Sequence, residues 1–132
     1  MLELNVTVQS PTILVADDHP TERKLISLIS DQLGVSAVLA ENGKQALDIW
    51  QSQKIDLILM DWQMPILDGC ECTRLIRSRE EGTGIRVPII AFTACAMPGD
   101  QENCRDAGMD DYIAKPFSLS DLETVLKRWL PG

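Results

Sequence analysis

The segment Thr12-Ile13-Leu14-Val15-Ala16-Asp17-Asp18 (residues 12–18) is a continuous apolar run closed by two carboxylates. Such a run, without polar alternation, predicts a strand buried on both faces, as in a parallel sheet covered by helices. The pattern recurs. Val35 to Ala40 is a second run, and Ile55-Asp56-Leu57-Ile58-Leu59-Met60 is a third that ends at Asp61. Val87-Pro88-Ile89-Ile90-Ala91-Phe92 is a fourth, ending at Thr93, and Tyr112-Ile113-Ala114 a short fifth, ending at Lys115-Pro116.

Amphipathic stretches lie between these runs. Pro20 suits the first turn of a helix, where a missing N–H does no harm, and Leu25, Leu28, Ile29 and Leu33 predict its buried side before Gly34. Asn42-Gly43 leads into a second helix, marked by Ala46, Leu47, Ile49 and Trp50. After Asp68-Gly69, a third places Cys72, Leu75, Ile76 and Arg79 on one face, and Glu80 to Gly84 reads as a loop. Pro98-Gly99-Asp100 opens a weakly patterned fourth helix to Ala107, closed by Gly108. Ser118 and Asp121 form a capping-box-like start for the fifth, with Leu119, Leu122, Val125, Leu126 and Trp129 as its stripe. Strands alternating with helices predict an α/β fold, and right-handed crossovers limit it to a few doubly wound forms.

The composition bounds the function. A chain of 132 residues is one domain, with a core large enough to need no disulfide or metal staple. Residues 11–132 carry the strand–helix units, and residues 1–10 read as an N-terminal extension or linker, with alternating Leu2, Leu4, Val6 and Val8 as the mark of an extra strand otherwise. The formal charge of −8 argues against a nucleic-acid surface. No run is long enough to span a bilayer, and Met1 to Pro11 lacks the basic start and apolar core of a signal peptide, so a cytoplasmic location without membrane contact is expected. Cys70, Cys72, Cys95 and Cys104 match no zinc spacing and read as reduced thiols.

In parallel sheets of this kind, ligands bind beyond the carboxyl ends of the strands. Asp17, Asp18, Asp61, Thr93 and Lys115 all end strands, so they crowd one rim. Two carboxylates ~4 Å apart repel by ~4 kcal/mol at an effective dielectric near 20. Three of them beside one lysine raise one another's pKa values or require a cation. A hard divalent ion such as Mg²⁺ fits, because it takes few protein carboxylates and leaves positions open for a phosphoryl group. Asp61, central among the strands, is the candidate nucleophile.

The segments Ile13-Leu14-Val15-Ala16-Asp17-Asp18, Met60-Asp61-Trp62-Gln63-Met64-Pro65-Ile66-Leu67-Asp68-Gly69, Phe92-Thr93-Ala94 and Asp111-Tyr112-Ile113-Ala114-Lys115-Pro116 together resemble the receiver domain of bacterial two-component response regulators. The resemblance covers roughly residues 11–130, and Gly108-Met109-Asp110-Asp111-Tyr112 looks most like receivers of hybrid sensor histidine kinases. It implies a flavodoxin-like three-layer (βα)5 sandwich with strand order 2-1-3-4-5. Asp61 accepts a phosphoryl group from a phosphohistidine. Asp18 and Asp61, with the backbone carbonyl of Gln63, hold Mg²⁺ (or Mn²⁺), and Asp17 acts through a water. Lys115 pairs with Asp61 and then with a phosphoryl oxygen. Thr93 moves to the phosphoryl group, Tyr112 follows it inward, and the Lys115–Pro116 bond is cis. The implied partners are the dimerisation/phosphohistidine domain of a histidine kinase and a histidine phosphotransfer domain. By the same resemblance, the parent would be a hybrid sensor kinase or a single-domain regulator, and the domain would catalyse its own phosphorylation and slow dephosphorylation. The fourth helix, fifth strand and fifth helix mark a partner face, which leaves dimerisation open.

Other residues have plainer readings. His19 reads as a loop or cap residue, Trp50 and Trp129 as core, and Trp62 as a rim residue that reports site occupancy. Gln63 and Cys95, each two residues past a site residue, should overlook the phosphoryl group; Cys95 positions water poorly, which predicts a long-lived phosphoryl-Asp61. A phosphohydrolase with an Asp nucleophile is one rival, though Gln63 stands where its acid/base Asp is needed. A degenerate receiver that only docks is another, against which stand the intact Asp17, Asp18, Asp61, Thr93 and Lys115.

Overall fold

The computed structural model describes residues 10–93 and 99–130, apart from the side chains of Asp100 and Gln101. Its strands are β1 Thr12–Ala16, β2 Ser36–Ala40, β3 Leu57–Asp61, β4 Ile89–Thr93 and β5 Asp111–Ala114. Its helices are α1 Pro20–Gln32, α2 Gly43–Ser52, α3 Gly69–Glu80, α4 Asp100–Ala107 and α5 Leu119–Trp129. The sheet runs in the order β2-β1-β3-β4-β5 with every neighbouring pair parallel. This is the doubly wound α/β arrangement that the alternation of apolar runs and amphipathic stretches predicts. Residues 1–9, with the reading of an extra strand, lie outside the described part.

Caps define the helix starts. The Asn42 side chain accepts from the Gln45 N–H at 2.8 Å, and Asp68 does the same for Glu71 at 2.8 Å. Ser118 and Asp121 close the full capping box on α5, at 3.1 and 2.9 Å. Pro20 opens α1 without a side-chain cap.

Alternate residues of each strand face opposite layers. Leu14, Ala16, Ile58, Met60, Ile89 and Ala91 pack with α2, α3 and α4 through Ala46, Leu47, Cys72, Ile76 and Cys104. Ile13, Val15, Leu57, Leu59, Ile90, Phe92 and Ile113 pack with α1 and α5 through Ile26, Leu122, Val125 and Leu126. The sheet thus separates two interiors, each built from residues with little or no exposed surface.

Four helices differ from expectation in the residues they bury. On α1 the buried face carries Ile26 and Ser30, with Ile29 and Leu33 beside them, while Leu25 and Leu28 are exposed. Ser30 tolerates burial because its hydroxyl donates to the Ile26 carbonyl at 2.7 Å. On α3, Leu75 turns outward, and the buried set is Gly69, Cys72, Thr73, Ile76 and Glu80. Glu80 belongs to the helix and not to a loop: its carboxylate accepts from Arg77 and from the Val87 N–H, both at 2.6 Å. Trp50 and Trp129 are half-buried against the core rather than within it. The Trp129 indole N–H donates to Asp111 at 2.7 Å, a bond full burial would have to preserve.

Candidate functional site

Sheet register builds the site. Ala16 pairs with Met60, so Asp17 and Asp61 leave adjacent strands at the same level. Asp61 pairs with Phe92, and Thr93 with Ala114, which brings Thr93 and Lys115 to the same rim. Backbone bonds hold the strand ends: Asp17 N–H donates to Ala40 at 3.1 Å, and Lys115 N–H to Thr93 at 2.9 Å. The Lys115–Pro116 peptide bond is cis, as the resemblance implies. Asp17, Asp61 and Thr93 are all buried.

Gly69 lets α3 come this close. A Cβ there would run into the carbonyl oxygen of Asp61. Its N–H donates to the Trp62 carbonyl at 2.9 Å, which ties the start of α3 to the end of β3. Between them, Leu67 N–H closes a three-residue turn onto the Pro65 carbonyl at 2.8 Å. Ile66, at the centre of that turn, is exposed and has a φ of 72°.

Lys115 lies in a cage of carboxylates. Its Nζ is 3.3 Å from Asp17, 3.5 Å from Asp61 and 2.5 Å from Glu22, the last a short ion pair with off-axis hydrogen-bond geometry. The same ammonium lies 4.4 Å over the Phe92 ring. Burial opposes its charge, but Glu22, Asp61 and Asp17 together push its pKa above the ordinary lysine value. Burial and the negative charge of Asp17 push the Asp61 carboxyl up to about 6, although Lys115 and the Gln63 N–H favour its ionised form. Burial alone would raise Asp17 too. Hydrogen bonds with Glu22 and His19, and the charge of Lys115, outweigh it and hold Asp17 below the usual carboxylate range. Burial and contact with Asp17 raise Glu22 in turn.

His19 turns towards the acidic residues. Its Nδ1 lies 3.0 Å from Asp17, 3.1 Å from Asp18 and 4.0 Å from Asp61. The bond to Asp17 raises the His19 pKa, with the charges of Asp18, Asp17 and Glu22 adding to it. The expected cap role is only partly met: His19 is the N-cap of α1, but its side chain caps nothing and faces the carboxylates.

The donor set fits a hard divalent cation. Asp17, Asp18, His19 and Asp61 each offer one ligand atom, all within 4.8 Å of one another. His19 Nδ1 is bonded to Asp17, so buried Asp18 Oδ1, 3.1 Å from the same nitrogen, accepts no aligned hydrogen bond, a costly state for a carboxylate oxygen that a bound cation would relieve.

Sequence reasoning placed Asp17, Asp18, Asp61, Thr93 and Lys115 together, and the structure brings them to one rim. Gln63 is exposed directly after it, and Trp62 is half-buried against the α2–α4 interior, close enough to Cys70 to act on its thiol. Tyr112 packs against that same interior. Cys95 lies outside the described residues. Missed in the sequence were Glu22, Phe92 and Arg23, whose guanidinium donates to the Asp17 carbonyl at 2.8 Å. A usable signal existed for Glu22 and Arg23: first-turn residues of a helix that follows a site-bearing strand face the same rim.

The response regulator receiver domain family matches residues 13–127. Hybrid signal transduction histidine kinase I of Dictyostelium discoideum is 45% identical over 119 residues, which is 86% of this chain and 7% of that protein. Sensor histidine kinase GacS of Pseudomonas protegens is 37% identical over 128 residues, 96% of this chain and 14% of that protein. The chain therefore spans a small part of the length of these relatives. Among solved structures, the receiver domain of a Pseudomonas aeruginosa sensor histidine kinase, with magnesium coordinated in its active-site cleft, is 45% identical with a TM-score of 0.82. The alignment covers 91% of this chain and 97% of that one. The receiver domain of Saccharomyces cerevisiae Ssk1, crystallised with the histidine phosphotransfer protein Ypd1, is represented by a match at 30% identity and TM-score 0.85, covering 92% and 89%. The matched residues run from β1 into α5 and take in every member of the acidic rim, so the chain belongs to the response regulator receiver family.

Proposed function

We propose that this chain is a phosphoacceptor switch in which Asp61 takes a phosphoryl group from a phosphohistidine on a partner protein. One observation carries the reading: a buried Asp61 with Lys115 3.5 Å away, beside an Asp18 oxygen that accepts no aligned hydrogen bond although His19 Nδ1 lies 3.1 Å from it. A carboxylate oxygen of Asp61 forms the new O–P bond, the N–P bond of the phosphohistidine breaks, and the departing imidazole takes up a proton. Asp18, Asp61 and the Gln63 carbonyl would hold Mg²⁺, or Mn²⁺ in its place, with Asp17 acting through a water. When bound, that ion supplies the positive charge that lets an anion approach this acidic rim. Lys115 then neutralises a phosphoryl oxygen, and catalysis is positioning and electrostatics rather than further covalent chemistry.

Thr93 at the end of β4 and Tyr112 in β5 are the responding pair, with α4 between them in sequence as the element that shifts. The magnesium in the cleft of the P. aeruginosa receiver supports the metal assignment. The pairing of Ssk1 with Ypd1 supports a phosphotransfer partner, and the kinase relatives support a phosphohistidine domain within a hybrid kinase. A single-domain regulator is the other parent architecture. In either, residues 11–132 are the receiver and 1–10 an extension, working in the cytoplasm; no helix among the described residues is long and apolar enough to cross a membrane. Dimerisation through the α4–β5–α5 face is a further property to measure.

Incubation with a small phosphodonor and Mg²⁺, read by intact mass, tests the reading. One phosphate adduct is expected, absent in Asp61→Asn. Absence of an adduct with every donor, or persistence of it in Asp61→Asn, overturns it.

A further inference from the structure

Glu22 stands apart from the strand-end residues of the rim because it comes from a helix. It is the third residue of α1, where an acidic side chain commonly folds back onto the N-cap N–H. Here that N–H is taken: His19 N–H donates to Asp17 Oδ1 at 2.9 Å. Glu22 instead extends across the rim and ends against the Lys115 ammonium, which lies nearer to it than to Asp17 or Asp61.

That placement matters for an anion on Asp61. Lys115 is the largely buried cation of the cage, His19 being mostly exposed, and it faces such an anion. Its side chain is only 11% exposed, so the ammonium has little solvent to trade against and chooses among carboxylates. Every contact it keeps with Glu22 draws it towards α1 and away from Asp61. We propose that Glu22 is a positioning residue that tethers Lys115 and thereby weakens the hold of the site on an oxyanion or fluoride mimic at Asp61. The inference rests on the phosphoacceptor reading above. A favourable interaction of Glu22 with the amino end of α1 would by itself explain an acidic residue there. The two explanations part in experiment, because only the tether depends on the reach of the side chain.

Two variants separate them, both at a side chain 31% exposed that the core does not use. Glu22→Gln removes the charge. Glu22→Asp keeps it but shortens the arm by one methylene. Beryllofluoride binding at saturating Mg²⁺ is measured for each, with the side-chain ¹⁵N resonance of Lys115 as a second readout in the free protein. Both variants are expected to bind beryllofluoride about fivefold more tightly, the scale of one partly screened ion pair, and both to move the Lys115 resonance. Tightening by Glu22→Gln with wild-type affinity in Glu22→Asp means that Glu22 acts as a charge alone and overturns the tether. Unchanged binding in both variants overturns it as well. A wild-type protein that binds no beryllofluoride, while the Lys115 resonance still moves in both variants, defeats the phosphoacceptor reading and leaves the Glu22–Lys115 contact standing.

Discussion

Replacing Arg77 with Met tests a side chain that makes four hydrogen bonds. Arg77 lies on α3, at the opposite edge of the sheet from the acidic rim. Its guanidinium donates to the Gly108 carbonyl at 2.8 Å, the Val87 carbonyl at 2.8 Å, Glu80 at 2.6 Å and Asp110 at 2.7 Å. Glu80 and Asp110 are 6% and 12% exposed, so neither can turn to water when the arginine goes. Some compensation remains: Arg86 also reaches Asp110 at 2.8 Å, and the Val87 N–H still serves Glu80. Stranding one partner of a buried pair costs about 3–5 kcal/mol. That is a large share of the ~5–15 kcal/mol that holds a domain folded. Urea unfolding at neutral pH measures it, and the Arg77→Met loss is expected at about 3–5 kcal/mol, little changed by high salt because the pairs are screened from solvent. Adding Glu80→Gln and Asp110→Asn to Arg77→Met removes the stranded charges and should recover part of the loss. A single-variant loss below about 1 kcal/mol, the range of an exposed pair, refutes the argument. So does a triple variant no more stable than the single one.

Gly69→Ala forces a Cβ onto the Asp61 carbonyl, so a loss of about 1–3 kcal/mol and weaker beryllofluoride binding are expected; an unchanged melting temperature would contradict the packing. For Asp111, burial raises the carboxyl pKa, but bonds from the Trp129 indole, the Tyr112 N–H and Arg128 outweigh it and lower it below its ordinary value. A depressed folded-state pKa contributes stability above the unfolded-state value, lost as pH falls through the folded one. The gap between wild type and Asp111→Asn should therefore hold constant from neutral pH to about 5 and close below about pH 4 in urea titrations; a gap that widens on acidification shows the sign is wrong. With Trp50→Phe and Trp129→Phe in place, Mg²⁺ should change the emission of the remaining Trp62, and silent titrations would mean that this indole does not sense the site.

Much of the molecule was legible in the residues. Continuous apolar runs mark the central strands β1, β3 and β4 because a sheet covered on both faces leaves no solvent side to encode, whereas the edge strands β2 and β5 are apolar but partly exposed, with Ser36, Leu39 and Ala114 at the surface. The polar residues that close those runs mark the rim for the same reason. Asp17, Asp61, Thr93 and Lys115 stand out as the first interruptions of hydrophobic sequence. Helix faces were harder to read. On α1, the leucines at 25 and 28 compete with Ile26, and only packing against β1 and β2 decides which side is inward; Ser30 becomes compatible with burial through its own helix carbonyl. Glu80 looked like loop material because its partners, Arg77 and the start of the fourth apolar run, meet it only once the chain is folded. Glu22 escaped notice because a first-turn glutamate has a sufficient local explanation, and its place just after a site-bearing strand points to the rim without naming Lys115 as its partner.

The division of the interior by the sheet has a consequence for how this domain tolerates change. Neighbours along one strand, such as Tyr112 and Ile113, belong to different halves, the first beside α2–α4 and the second beside α1 and α5. Substitutions on opposite sides share few partners, so their effects should sum, whereas those on one side should interact. The protein can therefore be treated as two nearly independent packing problems joined by a common wall. Lineage drift or directed evolution can rework the α4 side while the α1–α5 side keeps its solution, and the rim, anchored in the wall itself, rides through both.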